Sequence, residues 1–204
     1  MPEARVGEAR EAAGKAAAGL TRAPDPDADL VARSKKGDLG AFEELVKRHQ
    51  RPLFSYVYRM LGNPDEAEEL TQVALVRSWD KLKGFKGESK FKTWLYRIAT
   101  NLCINKVTRR KPTTELPETL VGPETEEPEA EYRRHQREQV VRAAIDCLPA
   151  EQRSALVLSV YENMRYSEIA RAMGKSVRAV DSLLFRAKTN LRRNLAAARS
   201  KGIV

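Results

Sequence analysis

Apolar positions repeat at three- and four-residue intervals through most of this chain, the spacing of helices that bury one side. The clearest case is Phe91 to Arg110, FKTWLYRIATNLCINKVTRR. Phe91, Trp94, Leu95, Ile98, Ala99 and Leu102 fall on one stripe and are expected to face a core. Lys92, Thr93, Tyr96, Arg97 and Thr100 project from the other side, with Asn101 and Asn105 at an edge, and are expected to stay in solvent.

Local signals place three helices upstream of this one. Asp25-Pro26 reads as an N-cap followed by a first-turn proline, and the short helix it opens should stop at Gly37. Asp38 can cap a second helix striped by Phe42, Leu45, Val46, Leu53, Val57 and Leu61 and ended by Gly62, with Pro52 as a candidate kink. Asn63-Pro64 starts a third, which should reach Trp79 or Leu82, and Asp65, Glu66, Glu68 and Glu69 put anions where the helix dipole favours them. Gly84 to Lys90 is a loop, so that four helices make a first domain over residues 27–111.

Downstream, residues 132–200 form a second helical domain. Val140, Val141, Ala144, Ile145 and Leu148 give one apolar face that ends at Pro149, and the next helix spans Ala150 to Glu162. Ser167 to Gly174, a short break, and Ser176 to Leu195 then read as a helix-turn-helix. Ser167 and Ser176 are the expected caps, Gly174 the tight turn, and Ile169, Ala170, Val180 and Leu184 the packing between the helices. Between the domains, residues 112–131 hold Pro117, Pro123 and Pro128 among Glu and Thr, a flexible tether that lets the two sit far apart. Residues 1–26 have few large apolar side chains and read as a disordered tail. The expected fold class is all-α, two small helical domains joined by a flexible acidic linker.

Charge sharpens this division. The net charge of +9 is spread as −1 over residues 1–27, +7 over 28–110, −6 over 111–131 and +9 over 132–204. Two basic bodies flanking an acidic strip suggest a polyanion contacted at two places. No segment has the apolar length of a membrane span, and neither end shows a signal-peptide core, so a cytoplasmic protein contacting DNA or RNA is expected. Cys103 and Cys147 have no metal-ligand neighbours and read as small, buried or half-buried apolar residues.

The chemistry on offer is recognition. Cations can neutralise phosphates, amides can pair with base edges, and an exposed tyrosine can stack on an unpaired base. An enzyme fits poorly: no carboxylates converge on a metal site, no glycine loop cradles phosphate, and His49 and His135 are isolated, with surface placement the default. No cofactor or metal is expected.

Two blocks of residues resemble one family. Glu66-Ala67-Glu68-Glu69-Leu70-Thr71-Gln72, Arg77-Ser78-Trp79 and Phe91-Lys92-Thr93-Trp94-Leu95-Tyr96-Arg97-Ile98-Ala99-Thr100-Asn101-Leu102 resemble region 2 of extracytoplasmic-function (ECF) sigma factors, the group IV branch of the sigma-70 family. Leu148-Pro149-Ala150-Glu151-Gln152-Arg153, Tyr166-Ser167-Glu168-Ile169-Ala170 and Arg186-Ala187-Lys188-Thr189-Asn190-Leu191 resemble region 4. The resemblance implies a factor that binds core RNA polymerase, reads the minus-35 promoter element as duplex through region 4 and captures the minus-10 element as an opened strand through region 2. A further expectation follows from the linker's charge, that it occupies a basic path on the polymerase as a mimic of nucleic acid.

By the same resemblance, Glu68, Glu69, Leu70 and Gln72 would bind the clamp coiled coil of the largest polymerase subunit, and region 4 would meet the flap of the second-largest. An anti-sigma factor is a further candidate partner. Phe85, Ser89, Lys90, Lys92, Thr93, Tyr96, Arg97 and Asn101 would hold the minus-10 strand, with Lys106, Arg109 and Arg110 on its phosphates, while Trp94 is expected in the core. Lys175, Ser176, Arg178, Ala179, Ser182 and Arg186 would face the minus-35 duplex, Arg178 being placed for guanine; Phe185 is expected in the core.

The chain departs from the common pattern at Glu69 and Val73, where Asp and Glu are usual, and at Asp181 and Leu183, where Lys and Arg are common. The first pair puts the clamp contact in doubt and the second removes cations near DNA. The alternative reading, a stand-alone helix-turn-helix regulator of duplex DNA, explains the second domain and leaves Phe91 to Arg110 unexplained.

Overall fold

A computed structural model of the chain describes residues 24–110 and 129–200. The expected tail and linker lie largely outside the described residues. The order is α1 (Ala28–Lys35), α2 (Leu39–Leu61), α3 (Pro64–Lys81), a 3-10 turn (Leu82–Gly84), α4 (Phe91–Arg109), α5 (Glu129–Asp146), α6 (Ala150–Val160), α7 (Tyr166–Met173) and α8 (Val177–Ser200). No strand occurs among the described residues.

Caps explain most of the boundaries. Asp38 Oδ1 accepts the Ala41 N–H at 3.0 Å to open α2, and Asn63 Oδ1 accepts the Glu66 N–H at 3.0 Å to open α3. Gly62 ends α2 in the left-handed region at φ +81°, which glycine reaches without a Cβ clash. Asp25 departs from expectation: α1 starts at Ala28, and the Asp25 carboxylate accepts the Phe91 N–H at 2.6 Å. It thereby puts an anion on the first turn of α4, whose own N-cap, Lys90, offers no acceptor. His49 also departs from its expected surface place, half-buried with Nε2 2.7 Å from Asp27 Oδ2.

In the second half, Gly174 turns at φ +64° and Ser176 Oγ accepts the Ala179 N–H at 3.1 Å, fixing the break between α7 and α8. Ile169, Ala170, Val180 and Leu184 are buried between them as the pattern predicts. Ser167 does not cap α7. It lies within the first turn, while Glu168 Oε2 reaches back to the Arg165 N–H at 3.0 Å.

The two halves, which a flexible tether would allow to sit far apart, pack against each other. One continuous apolar core runs from Leu45, Leu53, Met60 and Leu95 to Val157, Leu158, Ile169 and Leu184. Helix α4 lies against both α6 and α7, and α2 against α6. The reason lies in α6, where Arg153 to Leu158 are six consecutive buried residues, so that this helix needs cover on every side.

The seam is polar as well as apolar. Tyr56 Oη lies 2.8 Å from Thr100 Oγ1 and 3.0 Å from Ser154 Oγ, all three buried. Arg153 donates to the Met60 carbonyl at 2.8 Å, and Arg142 to the Gly62 carbonyl at 2.9 Å and the Tyr58 hydroxyl at 2.5 Å. Carbonyls at the end of α2, orphaned by the helix itself, are thus capped by arginines of the other half.

Candidate nucleic-acid and polymerase interfaces

Helix α4 is buried on more of its surface than its pattern suggests. Thr93, Tyr96 and Thr100, expected in solvent, are buried under α6 and α7, while Trp94, Ile98 and Leu102 of the expected inner stripe are only half-buried. Threonine and tyrosine read as polar in a sequence, yet enter a core once their hydroxyls find partners. The uncharged stripe Thr93, Tyr96, Thr100, Cys103 was the signal available for this second face.

Tyr96 donates its hydroxyl to Glu162 Oε2 at 2.5 Å, and Lys92 Nζ lies 3.3 Å from the same oxygen. Burial, followed by the Glu162 hydrogen bond, raises the Tyr96 hydroxyl above its ordinary pKa, and burial does the same for Tyr56. Both hydroxyls remain protonated at physiological pH.

Of the remaining minus-10 candidates, Arg97, Asn101 and Arg109 are exposed, and Ser89, Lys90, Lys106 and Arg110 half-buried. Lys106 and Arg110 both pair with Glu66 of α3. Phe85 is not an open loop residue: it is 7% exposed, with its ring centroid 4.9 Å from that of Trp94 and 6.4 Å from that of Phe91. Arg77 and Lys81 of α3 line a cleft of about 270 Å³ with Arg97, Asn101 and Asn105, two cations that the sequence pattern did not single out for DNA.

A second cleft, about 500 Å³, separates this face from the helix-turn-helix. Lys86, Thr93, Trp94 and Arg97 line one wall, Arg171, Gly174 and Lys175 the other. Lys175 pairs with Glu151 at 2.9 Å, whereas Lys86, Arg97 and Arg171 have no acidic partner among the described residues. Positive charge therefore accumulates where the two sets of candidates meet.

On α8, Arg178, Ser182 and Arg186 are exposed, Ala179 is half-buried and Ser176 is held by its capping bond. Neither arginine has an acidic partner among the described residues, and Ser182 donates to the Arg178 carbonyl at 3.1 Å. Phe185, expected in the core, is 73% exposed, because Val180, Leu183, Leu184 and Ala187 already fill the inner face. Leu183 is among those buried residues, so only Asp181 brings its departure from the family pattern to the exposed face.

On α3, Glu68, Glu69 and Gln72 are exposed and Leu70 packs half-buried against the core. Val76, which the sequence reading passed over, extends that acidic stripe with an apolar group 61% exposed. Among the described residues no group of His, Cys, Asp and Glu could hold a metal ion, and no helix is long and apolar enough to cross a membrane.

Known proteins repeat this arrangement. Residues 45–113 match the family model of sigma-70 region 2, and residues 138–191 that of sigma-70 region 4. RNA polymerase sigma-H factor of Pseudomonas aeruginosa is 35% identical over 175 residues, covering 80% of this chain and 91% of the relative. ECF RNA polymerase sigma-E factor of Escherichia coli is 34% identical over 173 residues, covering 79% and 90%. Among solved structures, CnrH in complex with the cytosolic domain of CnrY matches with a TM-score of 0.65 and 25% identity, over 85% of this chain and 99% of that one. The two matched regions, in this order and on this helical frame, place the chain in the ECF family of RNA polymerase sigma factors.

Proposed function

We propose that this sigma factor divides the promoter between its two halves, the exposed face of α8 taking the minus-35 duplex and α4 with its preceding loop taking the opened minus-10 strand. As a family member, the chain binds core RNA polymerase and directs promoter recognition, promoter opening and transcription initiation. Arg178, Ser182 and Arg186 are assigned to base edges and phosphates of the major groove, and Phe185 joins them as an apolar group suited to a thymine methyl. Lys90, Lys92, Arg97 and Asn101 are assigned to the single strand, Lys106, Arg109 and Arg110 to its backbone, and Arg77 and Lys81 extend that path.

Glu68, Glu69, Gln72 and Val76 form the proposed polymerase contact. The stand-alone regulator does not account for a second basic face on α4. The observation that carries the proposal is the presence, in one chain, of a groove-sized helix whose exposed arginines have no acidic partner among the described residues and a separate basic face suited to a single strand. A partner protein that holds the factor is also proposed, supported by the solved CnrH–CnrY complex.

Run-off transcription tests the reading. Core polymerase, the protein and promoter fragments from its own genome should yield discrete transcripts absent with core alone. Tight duplex binding without polymerase, and no protein-dependent transcript, would replace the proposal by the stand-alone regulator.

A further inference from the structure

Glu162 sits in the turn between α6 and α7. Asn163, at φ +52°, bends that turn sharply, while Met164 is buried beneath it. The turn thereby delivers an acid of the second half to α4 of the first. The Glu162 side chain is only 7% exposed, and its carboxylate takes the Tyr96 hydroxyl at 2.5 Å and the Lys92 ammonium at 3.3 Å, while its backbone carbonyl takes Lys92 again at 3.4 Å. Lys92 also lies 5.3 Å from the centre of the Tyr96 ring.

A cation, a phenolic donor and an aromatic face are what a segment of single-stranded nucleic acid would use, its phosphate taking the donors and its base the ring. Here a carboxylate of the second half holds the two donors, and the ring is buried, 5.3 Å from the ring of Tyr56 on α2. We infer that Glu162 is an intramolecular latch: it occupies the place of the DNA strand on Lys92 and Tyr96, so that the free factor is closed to single-stranded DNA until the halves part. This rests on the assignment of α4 to the minus-10 strand.

Closure covers more than these two residues. Thr93 and Thr100 are buried in the same seam, and Lys175 of the helix-turn-helix lines the cleft opposite Arg97. The closed form thus competes with DNA in mass-action terms: apparent affinity falls by the fraction of molecules that are open. Removing the latch carboxylate raises that fraction.

The test uses the full-length protein without polymerase. Two quantities are measured: the radius of gyration by small-angle scattering, and the binding of a fluorescein-labelled DNA single strand of about 12 random nucleotides by anisotropy. The variants are Glu162→Ala and, as a control for net charge, Glu44→Ala, an exposed acid on α2. Wild type should scatter as a compact particle. Glu162→Ala should enlarge the radius and tighten binding of the single strand by about tenfold, beyond any change in Glu44→Ala.

A wild-type particle already extended, or a Glu162→Ala protein unchanged in both quantities, overturns the latch. An enlarged radius with no gain in DNA binding leaves Glu162 a contact between the halves, and overturns both its competition with DNA and the assignment of Lys92 to the strand. Circular dichroism and a cooperative melt of the variant separate opening from unfolding: a larger radius with melted helices overturns the latch as well.

Discussion

Helices α4 and α8 both carry cations on what their patterns present as an outer face, and only α8 keeps that face open. Two phenylalanines mark the contrast. Phe85, in the loop before α4, was expected to touch DNA and is packed against Phe91 and Trp94; Phe185, on α8, was expected in the core and stands 73% exposed. The difference lies in the residues around them. On α8, Arg178, Asp181, Ser182 and Arg186 surround Phe185 with groups costly to desolvate, and the inner face is already full. On the covered side of α4 the residues Thr93, Tyr96 and Thr100 are uncharged, and the Tyr96 and Thr100 hydroxyls find partners there in Glu162 and Tyr56.

The largest effect expected from this contrast is on stability. Phe85→Ala should cost about 3 kcal/mol or more in urea unfolding, as the loss of a buried aromatic ring does. A loss below about 1 kcal/mol would show that the ring is a surface group and would break the comparison.

A smaller effect concerns pH at the seam. Burial raises the Asp146 carboxyl above its ordinary range, against the pull of Arg153, Arg142 and Arg110. Because the folded value is the higher one, its contribution to stability is whole below the ordinary carboxylate pKa and lost as pH climbs through the raised value. Wild type should therefore lose stability relative to Asp146→Asn as pH rises from about 4 towards neutrality. A constant difference, followed by urea unfolding at each pH, would mean that the arginines cancel the burial.

The smallest stability effect belongs to Phe185→Ala, which should stay within about 0.5 kcal/mol of wild type. If the proposed reading of α8 holds, the same variant weakens binding to promoter duplex carrying thymine at the contacted step. Equal binding to duplexes with and without thymine would remove Phe185 from recognition.

Element ends were legible because their causes are local. Asp38, Gly62, Asn63-Pro64, Gly174 and Ser176 act on residues within one turn, and each does so in the structure. Asp25 was not legible, because its partner is the Phe91 N–H, 66 residues away. The candidate DNA residues could be picked by type and spacing, but which of them are covered depends on the closure of two halves, which helical periodicity does not encode. The run Arg153 to Leu158 was the nearest clue, since a helix without a solvent face needs more neighbours than one small domain provides.

The end of α2 decides how readily such a closure can come undone. The residue four positions after Met60 is Pro64, which has no N–H to give, so the Met60 carbonyl relies on Arg153. When the halves separate, water can take that carbonyl, the Gly62 carbonyl and the Tyr58 hydroxyl at once, and each exchange costs only about 1 kcal/mol. The polar part of the joint is one that wets, trading arginine for solvent, so that the resistance to parting lies in the apolar core the two halves share.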